Sequence, residues 1–519
     1  MTFRDNIFQL SVYVCCLLVM AAALCVGFVL SACTRACDGN LRFASYYGDH
    51  MVLQKSPERA VLWGYGPEGA QITVSLSGPI TQTISAVNVT KGIWRVGLDP
   101  VAAGGPYNVT AAAQNCRVTL TDVLFGDVWL CGGQSNMYFK TSQIFNSSEE
   151  LALSVKYPHV RTFMAGLNLS ETELTDLIHV ELPWSVPTVG SVAEFSAVCW
   201  LFGRYMYENL KYPIGLVESC WGGTPVEAWS SSRALQQCGL ENTKDGPKDR
   251  NSVLWNAMIH PLLNMTIKGA LWYQGEENVD YHQDKYNCSF PAMIDDWRMA
   301  FHRGSGGQTA LDFPFGFVQL CTYKEGSPDD GFPNIRWHQT ADTGFVPNGR
   351  MKRTFMAVAL DLPDETSPYG TIHPRDKQDV AHRLTLGARA VAYNEKDVAF
   401  LGPFPDQILS THMYVNITYD QEVSVTPSKD IFEICCSGIW APCGPESFWV
   451  PAPVVQRSST TVQLSVSCAP GEVAAVRYAW RDWPCDFKAC PVYGAGGILP
   501  APPFIISRYP GKRGIWKSY

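Results

Sequence analysis

The sequence predicts an α/β protein: a mostly parallel sheet flanked by helices, with β-rich segments before and after it. One observation carries the sheet. Four apolar runs each lead to a Gly- or Pro-marked turn that bears a polar group. Val128 to Cys131 leads to Gly132-Gly133-Gln134-Ser135, and Ile214 to Val217 to Trp221-Gly222-Gly223-Thr224. Gly269-Ala270-Leu271 leads to Trp272-Tyr273-Gln274-Gly275-Glu276, and Met356 to Leu362 to Ile372-His373-Pro374. Repeated strand–turn–helix units imply a parallel sheet, whose site lies outside the carboxyl ends of its strands. A second observation carries the flanks, where short strand-like runs are split by Gly and Pro.

Taken in order, residues 1–36 read as a secretory signal peptide. Leu10 to Leu30 is almost wholly apolar, Arg4 precedes it and small residues follow, with cleavage expected near Ala32 to Ala36. A signal anchor is the runner-up, because about 20 apolar residues can span a bilayer. Residues 37–120 read as a β-sandwich-like domain, from runs such as Ala60-Val61-Leu62-Trp63-Gly64 and Gln71 to Leu76. Residues 121–402 alternate strand and helix signals, with helical spacing over Val198 to Leu210 and Gln378 to Ala392. Residues 403–519 return to β texture, as in Val454 to Val466 and Val473 to Trp480. Pro500-Ala501-Pro502-Pro503 cannot form a regular element.

Composition excludes several classes. With 46% apolar and 17% charged residues, the chain can bury a large core and is not globally disordered. A net charge of −8 gives no sign of a nucleic-acid binder. It does not favour an anionic ligand either, which would need a local Arg or Lys. Seven Asn-x-Ser/Thr sequons, at Asn88, Asn108, Asn146, Asn168, Asn264, Asn287 and Asn416, point with the signal segment to the secretory route, lysosomal or extracellular. No stable membrane insertion is expected if the signal is cleaved. Five of 18 cysteines precede residue 38, leaving an odd 13 and so at least one free thiol or intermolecular bridge. Cys131 and Cys199 lie in apolar runs and read as unpaired core residues. Cys435, Cys436, Cys443, Cys468, Cys485 and Cys490 are the better disulfide candidates. No Cys/His spacing matches a zinc site, and no metal or other cofactor is expected.

A serine on a tight turn after a core strand can attack an acyl carbon while its own N–H helps to hold the oxyanion. Ser135 stands there. The other turns add backbone N–H groups, an amide and an imidazole, the parts of an acyl-transfer site. Gly133-Gln134-Ser135-Asn136-Met137, Trp221-Gly222-Gly223-Thr224, Trp272-Tyr273-Gln274-Gly275-Glu276 and His373-Pro374 together resemble the motifs of the SGNH-type carbohydrate acetylesterases, within them the sialate O-acetylesterases of animals. Met51-Val52-Leu53-Gln54, Asn256 to Pro261 and Trp483-Pro484-Cys485 are similar too.

The resemblance implies an SGNH-hydrolase-like fold and a serine esterase that removes O-acetyl groups, 9-O-acetyl foremost, from sialic acids on glycoconjugates. It implies Ser135 as nucleophile, His373 as general base, and an oxyanion hole from Ser135, Gly222 or Gly223, and the Gln274 amide. Alternatives are an acetylesterase for other acetylated sugars and an inactive sugar-binding relic. Many related enzymes carry an acid two or three residues before the histidine, where this chain has Gly370 and Thr371. Either the site is a dyad whose imidazole donates to a backbone carbonyl, or Asp361, Asp364 or Glu276 folds in, or the enzyme is weakened. The dyad is the reading taken forward. His260 reads as structural, and His338 as substrate contact or packing. Asp127 could fix the Gln274 amide or cap a helix. Trp221, Trp229 and Trp272 read mostly as core, with one free to stack on sugar.

Overall fold

The computed structural model describes residues 41–114, 116–241, 246–437, 443, 447–468, 473–508 and 516–518; the expected leader lies outside the described residues. These fall into two compact units. One takes in residues 41–44, 63–96 and 109–119, the other 45–62, 97–108 and everything from 120 on. No helix among the described residues is long and apolar enough to cross a membrane.

The smaller unit is built of β-structure. Arg42–Phe43, Val61–Tyr65 and Ile93–Gly97 form a three-stranded sheet, and Gln71–Ser77 pairs antiparallel with Gln82–Asn88. Its centre is Trp94, fully buried, with its ring edge-on to Phe43 at 5.2 Å. The unit does not end at residue 120 as a contiguous domain would. Residues 45–62 and 97–108 belong to the larger unit, where Val52–Gln54 pairs in parallel with Leu124, Phe125 and Gly126.

In the larger unit seven strands follow one another along a single path of the sheet. These are β1 (Cys116–Gly133), β2 (Val160–Ala165), β3 (Val180–Ser185), β4 (Ile214–Cys220), β5 (Gly269–Tyr273), β6 (Phe315–Gln319) and β7 (Thr354–Val358), in the order β3-β2-β4-β1-β5-β6-β7. β1 belongs to this unit from Leu120 on. All neighbours are parallel except β3, antiparallel on the edge. β1 is buried continuously from Val123 to Gly133, as a strand covered on both faces must be. At its end a Cβ on Gly133 would lie 2.2 Å from Tyr273 O, so only glycine lets β1 and β5 close there.

Five helices concern the site: α1 (Ser135–Tyr138), α2 (Ala197–Leu210), α3 (Tyr286–Gly304), α4 (Gly331–His338) and α5 (Lys377–Ala392). Ser196 caps α2 by accepting from Cys199 N–H, and Asp376 caps α5 by accepting from Asp379 N–H. Cys131 of β1 and Cys199 of α2 are bonded to each other, contrary to their reading as unpaired. A buried disulfide partner and a lone apolar cysteine leave the same pattern in sequence; only the 6.0 Å Cα separation tells them apart. Cys238–Cys288, Cys435–Cys443, Cys436–Cys468 and Cys485–Cys490 are also bridged, and Cys220 and Cys321 are buried thiols. Replacing both Cys131 and Cys199 by alanine should cost about 2–4 kcal/mol. A melting temperature equal to that of the parent would refute the pairing.

The C-terminal β-rich region belongs to this same unit and packs its own core round Ile408, Ile417, Phe432, Val462 and Val476. It is joined to the α/β part by Arg336 of α4. This fully buried guanidinium donates to Leu320 O, Cys321 O, Arg481 O and Asp482 O. The Asp482 carboxylate accepts from Tyr323 N–H and Lys324 N–H. Residues 501–503, in the proline run, are in no regular element.

Candidate active site

Ser135 opens α1 two residues beyond β1, half-buried where the apolar strand meets the cleft. Its N–H has no partner among the described residues, as expected for the first residue of a helix. The Gly222 N–H is likewise without one. Gly222 is the nearer glycine of its pair: a Cβ there would lie 3.2 Å from Ser135 Cβ. Gly223, at φ 63°, turns away toward Lys248.

The Ser135 hydroxyl donates to His373 Nε2 at 2.9 Å, and His373 Nδ1–H donates to Tyr369 O at 2.9 Å. The carbonyl stands where a triad has a carboxylate. The reason is a turn. His373 N–H donates to Gly370 O, Gly370 sits at φ 85°, and the Ser367 hydroxyl donates to His373 O. Gly370 therefore occupies the place of an acid because the turn requires a left-handed residue. Phe139 stacks on the imidazole at 6.4 Å. Burial lowers the His373 pKa below its usual value; the Tyr369 carbonyl opposes this and Lys377 reinforces it.

None of the candidate acids touches the imidazole by a hydrogen bond. Asp361 accepts both Arg383 N–H groups and the Tyr493 hydroxyl, and Asp364 accepts a bidentate pair from Arg375. Glu276 accepts from Asn136 Nδ2 at 2.7 Å; burial raises its pKa. Asp127 lies in the middle of the buried run of β1, six residues before Gly133, accepting from Gln54, Tyr212 and Tyr393. It serves neither the Gln274 amide nor a helix cap.

Asn136, which sequence does not mark out, joins the Ser135 and His373 turns. Its amide donates to Glu276 and to Ile372 O at 2.9 Å, and its oxygen accepts from Lys377 Nζ at 2.7 Å. Lys377 is fully buried, and burial pushes its pKa down to about 8. Nothing in the motif Gly-Gln-Ser-Asn-Met distinguishes such a tie from an ordinary turn residue.

Gln274 does not stand as the free side-chain donor that was expected. Its Nε2 donates to Thr224 O and to Asn278 Oδ1, and its oxygen accepts from the Tyr286 hydroxyl. Both amide hydrogens are thus committed, and the residue ties the end of β5 to the Gly222 turn. Gln274→Ala should lower stability by roughly 1–3 kcal/mol through the buried groups it orphans. An oxyanion donor would instead lose about 10²–10³ in kcat with an unchanged melting curve.

His260 Nδ1 bonds Leu174 O, as a structural histidine should, and His338 faces Asp342 at 2.6 Å. Trp229 and Trp272 are fully buried; only Trp221, half-buried beside Gly222, is open to a ring.

Residues 125–348 match the family model described as "Carbohydrate esterase, sialic acid-specific acetylesterase", and residues 407–508 match "Sialate O-acetylesterase C-terminal domain". The sialate O-acetylesterase of Mus musculus is 50% identical over 92% of this chain and 97% of its own length. That of Homo sapiens is 49% identical over 94% and 97%. A carbohydrate acetylesterase from Xanthomonas citri superposes with a TM-score of 0.76 at 29% identity, over 90% of this chain and 100% of that one.

Proposed function

The chain belongs to the sialate O-acetylesterase family and hydrolyses O-acetyl esters of sialic acids; we propose that it does so through an acetyl-serine on Ser135, with His373 as the sole base. The observation that carries the reading is the 2.9 Å contact from Ser135 Oγ to His373 Nε2, with the imidazole's other nitrogen donating to Tyr369 O.

In this mechanism His373 Nε2 takes the hydroxyl proton as Ser135 Oγ attacks the acetyl carbon. The oxyanion meets the N–H groups of Ser135 and Gly222, each such donor being worth roughly 3–4 kcal/mol. The intermediate collapses, and the sugar oxygen leaves with the proton from His373. Water then attacks the acetyl-serine with His373 again as base, releasing acetate. The Tyr369 carbonyl holds the imidazole in the tautomer that presents a lone pair to Ser135. A carbonyl cannot stabilise the imidazolium as an anion would, but an acetyl ester with an alkoxide leaving group asks less of the base than an amide does.

We place the preferred ester at O9. That oxygen ends a flexible exocyclic chain, the part of the sugar best able to reach a half-buried serine. The proposed setting is the secretory route, lysosomal or extracellular. The disulfides among the described residues support it, and none of the seven sequon asparagines is buried. The test is acetate release from 9-O-acetyl sialic acid against acetylated xylan. Faster release from the sialate is expected; an equal or higher kcat/KM on xylan would overturn the substrate assignment.

A further inference from the structure

A sialate carries a carboxylate, and a chain of net charge −8 must meet it with a local cation. Three cations near the catalytic turns are already engaged. Lys377 is buried on Asn136, Arg375 is paired with Asp364, and Lys140 with Glu194. Beyond Ile372 the cleft is closed to an anion: a cavity of about 210 Å³ there is lined by Glu276, Glu277, Asp280, Asp329 and Asp482 against one lysine, Lys324.

Lys248 is different. It is half-buried, and its ammonium donates to Gly222 O at 2.6 Å. That is its single partner among the described residues, so two of its three N–H groups remain. Only the Gly222 residue separates it from Ser135, whose Cβ would lie 3.2 Å from a Cβ on that glycine. A Cβ on Gly223 would lie 2.9 Å from the ammonium and 4.0 Å from Glu277 Oε2. The turn thus offers a cation beside the nucleophile.

We propose that Lys248 binds the carboxylate of the sialic acid while its ester lies on Ser135, and so selects an anionic sugar over a neutral one. This rests on the sialate reading above, but its failure is separable from a failure of that reading. Anchored by the Gly222 carbonyl, the ammonium keeps its place without substrate, and its remaining hydrogens point to the carboxylate as charge-assisted donors.

The test compares 9-O-acetyl sialic acid with its methyl ester, which keeps the acetyl group and loses the negative charge. The parent enzyme should prefer the free acid. Lys248→Gln should cut that preference about tenfold, through KM rather than kcat, as expected for one lost charged hydrogen bond. Lys248→Arg should restore most of it. The preference of the parent should also shrink as salt is raised. No preference in the parent, or the same preference in Lys248→Gln, would overturn the proposal. Loss of both substrates alike in a variant with a lowered melting temperature would mean that Lys248 only braces the Gly222 turn. If the parent prefers acetylated xylan, the substrate assignment itself falls, whatever Lys248 does.

Discussion

Ser135→Ala is expected to reduce kcat for acetate release by roughly 10⁶-fold. The hydroxyl donates to His373 Nε2, and it is the group that the imidazole can deprotonate. The fold should not notice the change. Ser135 heads a single turn of helix and is half-buried, and alanine keeps the turn without leaving a large void. The measurements are single-turnover acetate release and a melting curve. A serine-directed fluorophosphonate should label the parent at Ser135 and spare the variant. Turnover within tenfold of the parent would remove Ser135 from the chemistry.

His373→Ala should cost a similar factor, because nucleophile and base act as one unit. The informative comparison is with the carboxylates. Asp361→Asn, Asp364→Asn, Glu276→Gln and Asp127→Asn should each fall well short of it. Asp361→Asn will reduce stability, since it unbalances the buried Arg383, so rates are to be read well below its melting temperature. One carboxylate variant that stays folded and loses ~10³-fold or more would show a distant acid at work. The pH profile gives a second readout. Burial lowers the His373 pKa, and only the neutral imidazole can accept the proton. Activity should therefore be retained as pH falls past the ordinary histidine value of about 6.5, and be lost only below it. An acid limb above 6.5 would indicate a neighbouring anion that the dyad lacks.

The α/β sheet and the four site-bearing turns were legible because each polar group follows an apolar strand in an order that a parallel sheet converts into proximity. Gly370 and Thr371 stand where related enzymes carry an acid, and that departure could be read directly. What sequence did not disclose lies in groups whose role depends on a partner far along the chain. Lys377 opens a helix whose spacing in sequence gives no sign that it is buried against Asn136 across 241 positions. Gln274 has the right residue type at the right turn, but its hydrogens are spoken for by Thr224 and Asn278. Cys131 and Cys199 are as apolar in context as any free core cysteine. Lys248 stands in a polar stretch with no periodicity, and only its approach to Gly222 marks it out.

Arg336 fastens residues 481 and 482, and Asp482 in turn fixes the backbone at Tyr323, whose carbonyl accepts from the Thr371 hydroxyl two residues before His373. The C-terminal region is therefore part of the support of the His373 turn. A chain truncated after α5 would keep Ser135, Gly222 and His373 and still lose the brace that aims the imidazole. Variants that arise in that region, tens of residues from any reacting atom, should act as losses of catalysis rather than of adhesion to glycans.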